Sequence, residues 1–131
     1  MASSSQYLIV DIETVPDRRI WQPAKEDPSV FPPLYAHRVI VLGGMLLDSN
    51  YRLVKLGLLA PPGTDESDRL RSFSTFVEAH QPTLVTYNGR GFDLPVLALR
   101  SLRCGVPMAW YYKNRGEESR YCEENHIDLC D

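Results

Sequence analysis

The apolar positions along the chain fall into runs whose spacing alternates between strand-like and helix-like. Tyr7-Leu8-Ile9-Val10 is short, rich in β-branched residues and bounded by polar ones, which predicts a buried strand that ends at the acids Asp11 and Glu13. A proline-rich stretch follows, containing Pro16, Pro23, Pro28, Pro32 and Pro33. Proline fixes φ and removes a donor, so regular structure should be sparse from about Pro16 to Ala36. Val39 to Leu47 is a near-continuous apolar run that predicts a central strand, turned by Asp48-Ser49-Asn50 into a returning strand from Tyr51 to Leu59. From Ser67 to His80, the residues Leu70, Phe73, Phe76 and Val77 recur at helical spacing, and Pro82 stops that helix. Leu84 to Tyr87 predicts another short strand, and Asn88-Gly89-Arg90-Gly91 a tight loop. A helix should follow, with Asp93 near its N-cap, Pro95 in its first turn, Gly105 as its stop, and Val96, Leu97, Leu99 and Leu102 buried. Trp110 to Tyr121 mixes aromatics with Lys113, Arg115 and Arg120 around an exposed loop at Asn114-Arg115-Gly116-Glu117, and His126 to Leu129 is a final short strand.

The order strand, hairpin, helix, strand, helix, strand predicts an α/β fold, a mixed sheet flanked by helices with its site beyond the strand ends. The chain has 131 residues, enough for one domain spanning 1–131 with its own core. A hydrophobic fraction of 44% and a charged fraction of 24% are those of a soluble globular protein. The net charge of −3 gives no sign of a strongly basic nucleic-acid binder, although a group of metal-binding carboxylates would itself make the total more acidic. Three cysteines, Cys104, Cys122 and Cys130, cannot all pair internally, which favours a reducing, cytoplasmic setting. No signal-peptide pattern opens the chain and no apolar run reaches membrane-spanning length.

Two places carry chemistry. Asp11 and Glu13 are two residues apart on a strand, so they share a face. Paired carboxylates there either face water at a strand end or hold a divalent ion with oxygen ligands, Mg²⁺ or Mn²⁺. The second place is Tyr87-Asn88-Gly89-Arg90-Gly91-Phe92-Asp93-Leu94-Pro95, whose two glycines allow a sharp turn and close approach to a ligand. Asp93 alone would read as a plain helix cap; the acidic pair shifts that balance towards a functional role.

These residues resemble the DEDD superfamily of 3′–5′ exonucleases, and specifically the proteins similar to the proofreading exonuclease domain of family B DNA polymerases. The first motif of that family, Asp-x-Glu, is matched by Asp11 and Glu13. The second, Asn-x-x-x-Phe-Asp-x-Pro, is matched by Asn88, Phe92, Asp93 and Pro95. The strand His126-Ile127-Asp128-Leu129 also has a counterpart there. The resemblance implies an RNase H-like fold and a two-metal mechanism in which Asp11, Glu13 and Asp93 hold Mg²⁺ or Mn²⁺. The substrate it implies is a single-stranded DNA 3′ end, with RNA as an alternative, releasing nucleoside 5′-monophosphates. It places Thr14 and Val15 along the terminal nucleotide and gives Asn88 and Phe92 substrate-binding roles. Arg90, between the two glycines, is the candidate phosphate contact.

One part of the family pattern lacks a match. A fourth carboxylate is expected in a Tyr-x-x-x-Asp motif on a C-terminal helix, but in Tyr121-Cys122-Glu123-Glu124-Asn125 an asparagine occupies the acid's place. The expectation is a family member cut off before its last helix, with weak or absent activity and an uncovered surface open to self-association. Asp128 is the candidate replacement for the fourth acid. A zinc site at Cys122, His126 and Cys130 is disfavoured because side chains at those positions spread along a strand. His37 and His80 are expected at a loop and a helix end, not as catalytic bases. Tyr111, Tyr112, Lys113, Arg115 and Arg120 either meet a single strand or form a solvated loop. The alternative function is a nucleic-acid-binding or assembly module of the same fold without catalysis; another two-metal phosphohydrolase acting on nucleotides is the third reading.

Overall fold

A computed structural model describes residues 5–23, 29–113 and 125–130. Five strands form one mixed sheet in the order β3-β2-β1-β4-β5. They are β1 (Tyr7–Pro16), β2 (His37–Leu47), β3 (Leu53–Leu58), β4 (Thr83–Thr86) and β5 (His126–Asp128). The first three run antiparallel to one another, and β4 and β5 join β1 in parallel. The helices are α1 (Glu66–His80), α2 (Asp93–Cys104) and the short α3 (Ala109–Lys113). The mixed α/β architecture read from the residue pattern is the one observed.

Local chemistry sets the element ends. Asp65 caps α1 by accepting from the Asp68 N–H at 2.9 Å. Gly105 ends α2 in the left-handed conformation (φ 69°), where the absence of a Cβ removes the steric cost. Asp48 closes the β2–β3 hairpin by accepting through Oδ1 from the N–H groups of Asn50 and Arg52.

Helices α1 and α2 lie on one face of the sheet. There Leu8, Val10 and Ile12 of β1 meet Leu42 and Leu46 of β2, Leu84 of β4, Leu70, Phe73 and Val77 of α1, and Leu94 and Leu97 of α2. The other face holds the alternate residues: Ile9, Asp11 and Glu13 on β1, Met45 on β2, Val85 on β4 and Ile127 on β5. On β3 all six residues are exposed, including Leu56 and Leu58.

Four expectations need correction. Leu99 and Leu102, expected among the buried residues of α2, are exposed, at 38% and 67%. β1 continues to Pro16 instead of ending at the acids Asp11 and Glu13, because β2 pairs with it along its whole length. It is buried on one face only. His37, expected in a loop, opens β2 and is 4% exposed, held between Thr14 Oγ1 at 3.1 Å and the Pro32 carbonyl at 2.9 Å. Part of the aromatic-basic stretch is helical as α3, with Tyr111 in the core and Tyr112 exposed. Its centre, with Arg115, Arg120 and Tyr121, lies outside the described residues, as does Cys122. The proline-rich stretch has the predicted sparse regularity, with one 3-10 turn at Leu34–Ala36 among its described residues.

A buried ionic network anchors both ends of that stretch. Arg100 on α2 has a side chain 1% exposed and pairs with Asp17 at 3.0 Å and Glu66 at 2.6 Å. It also donates to the Tyr35 carbonyl at 2.9 Å, while Glu66 accepts from the Val39 N–H at 2.7 Å. The guanidinium groups of Arg19 and Arg100 hold the Asp17 carboxyl well below the usual carboxylate range, against the opposing effect of burial.

Candidate active site

β1 supplies the first half of the site. Ile12 enters the core while its neighbours Asp11 and Glu13 stand exposed on the outer face. β4 pairs with β1 only as far as Ile9, so the two parallel strands part just before the acids. Such a crevice beyond the carboxyl ends of parallel strands is where α/β sheets place ligands. A register shift between Glu13 and Thr14 opposite β2 marks a bulge, which re-aims the side chains that follow. Thr14 turns to meet His37, and Val15 is half-buried opposite Arg38.

The loop after β4 supplies the second half. Asn88 takes a left-handed conformation (φ 60°), and its carbonyl accepts from Gly91 and Phe92. Gly89 is required because a Cβ there would overlap the Thr86 side chain. Two inward-facing residues of β5 hold this loop. His126 Nε2 lies 2.7 Å from Thr86 Oγ1, which also accepts from the Gly89 N–H at 3.1 Å. Asp128 accepts from the N–H groups of Asn88 at 2.7 Å, Cys130 at 3.0 Å and Arg90 at 3.1 Å. Burial pushes the Asp128 carboxyl up, but the amides of Cys130, Arg90 and Asn88 outweigh it and leave the pKa below the ordinary value. Asp128, the candidate fourth ligand, thus has both oxygens engaged by backbone amides.

The loop delivers Asp93 as the first residue of α2, 7% exposed, directly after the half-buried Phe92. Its pKa is raised to about 6, first by burial and then by the negative charge of Asp11; the N–H groups of Asp93 itself and Ile12 partly oppose the rise. Asp93 and Asp11 are therefore close enough to repel one another across the open edge of β1.

Like-charged hard oxygen donors, one of them desolvated, are the donor chemistry that suits Mg²⁺ or Mn²⁺. The fit is partial. Among the described residues no three His, Cys, Asp or Glu side chains are gathered tightly enough to hold a metal ion. Asp11 contributes to the raised pKa of Asp93; Glu13 shares the face of Asp11 without completing a three-acid cradle. His126, turned inward onto Thr86, offers nothing to a zinc site with Cys130.

The model of a family described as a predicted 3′–5′ exonuclease related to the exonuclease domain of PolB matches residues 29–131. The chain belongs to this family. The match takes in the glycine loop, Asp93 and Asp128 and begins after Asp11 and Glu13. No curated protein matches the chain.

Solved structures share the fold of this PolB-related exonuclease chain. The family B DNA polymerase from the hyperthermophilic archaeon Pyrobaculum calidifontis is similar over 98% of this chain and 16% of its own, with 24% identity and a TM-score of 0.60. A product-bound exonuclease I is similar over 97% of this chain and 30% of its own, with 14% identity and a TM-score of 0.67. E. coli exonuclease I in complex with a dT13 oligonucleotide is similar over 95% of this chain and 28% of its own, with 14% identity and a TM-score of 0.63. The chain thus spans less than a third of each of these proteins. Among the described residues no helix is long and apolar enough to cross a membrane.

Sequence reasoning singled out Asp11, Glu13, Asp93, Asn88, Phe92, Thr14, Val15 and Arg90, and all lie on β1, on the β4–α2 loop or at the start of α2. It read His126 only as a strand residue and a disfavoured zinc ligand, and it assigned no role to Thr86 or Arg100. The alternation of His126 and Asp128 on one face of a strand beside the glycine loop was the available signal for the first of these.

Proposed function

We propose that this chain is a single metal-dependent 3′–5′ exonuclease unit that hydrolyses phosphodiester bonds at the 3′ end of single-stranded DNA. The observation that carries the reading is the placement of exposed Asp11 and Glu13 where β1 and β4 part, with the buried Asp93 delivered to the start of α2 by the β4–α2 loop. Membership of the PolB-related exonuclease family supports it, as does the single-strand complex formed by exonuclease I, a protein of the same fold.

Asp11 and Asp93 would hold the Mg²⁺ or Mn²⁺, with Glu13 joining them from the same strand face. When bound, the ions of a two-metal site supply a hydroxide nucleophile and neutralise charge on the leaving 3′ oxygen. The rest is done by the chain's own residues. Thr14 and Val15, past the bulge, flank the terminal nucleotide. Arg90, and the loop whose conformation Asn88 sets, approach the backbone phosphate. Phe92, immediately before Asp93, would contact the substrate. Asp128 acts through the loop that it holds, and its role as fourth carboxylate is the less favoured reading because three amides occupy it.

With no fourth carboxylate matched and Glu13 exposed, catalysis should be slow. RNA is the alternative substrate. The free Cys104 and Cys130 suit a cytoplasmic setting. Leu56 and Leu58 on the outer sheet face and exposed edge strand support self-association.

The alternative reading, a nucleic-acid-binding or assembly module without catalysis, is favoured by the lack, among the described residues, of a three-acid cluster. The deciding experiment follows a 3′-labelled single-stranded oligonucleotide in Mn²⁺. Slow release of 5′-mononucleotides, lost in Asp11→Ala, supports the exonuclease. Binding with no release in any metal supports the module.

A further inference from the structure

The two edges of the sheet are finished differently. β5 is three residues long, whereas β3 offers six exposed residues and, among the described residues, pairs only with β2. A long, unpaired, apolar edge is a template for another strand, and folds usually blunt it with proline, charge, a bulge or a covering element. β3 has no proline and a single charge, Lys55. Its register shift against β2 lies at the hairpin end and leaves Lys55 to Leu58 regularly paired. Leu53, Val54, Leu56 and Leu58 are each more than half exposed. Pairing with β2 fixes which backbone groups face away. The Leu59 N–H donates to the Leu42 carbonyl at 2.9 Å. The two-residue alternation of an antiparallel ladder then turns the N–H and C=O groups of Gly57 and Lys55 towards β2, and those of Leu58 and Leu56 outwards.

The side chains select the partner. Asp11 and Glu13 stand exposed on the outer face, so packing two outer faces together would carry like charges into a dry interface. Pairing along the edge leaves that face open. A two-fold axis perpendicular to the sheet keeps outer residues beside outer residues, and the sequence of β3 fits itself under that operation. With Leu56 opposite Leu56 of a second copy, Val54 meets Leu58 and Lys55 falls opposite Gly57. A Cβ at Gly57 would meet nothing within 4 Å, so the lysine stem has room there. Shifting the register towards the hairpin would set Lys55 against Lys55, a destabilising like-charge pair. Shifting it the other way shortens the overlap of the two strands.

We propose that β3 pairs antiparallel with β3 of a second copy, Leu56 against Leu56, to form a two-fold dimer with one continuous sheet. This rests on the self-association reading and names the strand, register and symmetry of the contact. Leu56 exchanges two backbone hydrogen bonds with its counterpart. The pairing uses up the long edge and leaves the short β5 at each end of the joined sheet, so association closes at the dimer. Both pairs of acids lie on one face, with the two β1 strands about 24 Å apart at roughly 4.8 Å per strand step. An edge contact of this kind is small, so the dimer is weak and concentration-dependent.

Amide hydrogen exchange of the wild-type chain, followed residue by residue alongside sedimentation velocity over about a hundredfold range of concentration, tests the pairing. The amides of Lys55 and Gly57, bonded to β2, should be protected throughout. Those of Leu56 and Leu58 should exchange freely in dilute protein and become protected as the dimer forms. Leu56→Pro removes an outward donor and leaves the ladder with β2 intact, so a folded variant should remain monomeric at every concentration. A wild-type dimer without protection of Leu56 and Leu58, or a folded Leu56→Pro that still dimerises, overturns the edge pairing and leaves self-association through another surface. A wild-type chain that stays monomeric overturns both. Neither result touches the exonuclease reading, since no strand is bound or cleaved in the experiment.

Discussion

Asp93 sits under two unfavourable influences, burial and the charge of Asp11, and both bear harder on its ionised form. Its folded pKa of about 6 stands above its ordinary value of 3.8. The contribution of the protonated carboxyl to stability is therefore complete below the unfolded pKa and is lost as pH rises through about 6. Asp93→Asn should consequently stabilise the metal-free chain more at pH 8 than at pH 4. The difference is on the order of 1 kcal/mol once solvent screening is allowed for, read from urea unfolding at the two pH values. A second residue-scale outcome concerns Gly89. A Cβ there would run into Thr86, so Gly89→Ala should cost about 1–3 kcal/mol in the same experiment and shift the loop that leads to Asp93. The identities of Asp11, Glu13 and Asp93 were legible in the sequence because acids at strand and helix ends are conspicuous. The function of Asp128 was not: an acid that accepts backbone amides and one that holds a metal are the same letter, and only the distances from Asn88, Arg90 and Cys130 separate them.

The elements themselves were mostly legible, since α1, α2 and the five strands each carry their own period and stop signals. The exceptions have physical causes. β1 outran its apolar run because pairing with β2 is a tertiary fact that Asp11, Glu13 and Pro16 do not announce. α3 was hidden by aromatic residues of weak helix propensity. The ionic network of Arg100 joins residues 17, 66 and 100, a separation along the chain that no local pattern reveals. Breaking it should be costly, because Asp17 and Glu66 would keep charges in a buried place. Arg100→Met should lower stability by about 3–5 kcal/mol, and Arg100→Met with Asp17→Asn by less, as measured by denaturant unfolding. Asp17 is held ionised by its arginines, so its stabilising contribution is present above its ordinary pKa of 3.8 and is lost as pH falls below that value.

At the scale of the molecule, one sheet face carries the helices and the core, while the other carries Asp11 and Glu13 among exposed apolar residues such as Leu56, Leu58 and Ile127. That asymmetry leads to an expected concentration-dependent self-association. Leu56→Lys should shift sedimentation profiles towards the monomer; profiles identical to the wild type would exclude this face as the contact. The same asymmetry leaves the acids accessible to a strand end and to ions from solvent. The most direct test of the account is the release of 5′-mononucleotides from a 3′-labelled single-stranded oligonucleotide in Mn²⁺, compared between the wild type, Asp11→Ala and Asp93→Asn. The wild type should shorten the strand slowly from its 3′ end and only with metal present, and both variants should be inert while remaining folded. Release that persists undiminished in Asp11→Ala and Asp93→Asn, or a wild-type chain that binds the strand and never shortens it, would contradict the account.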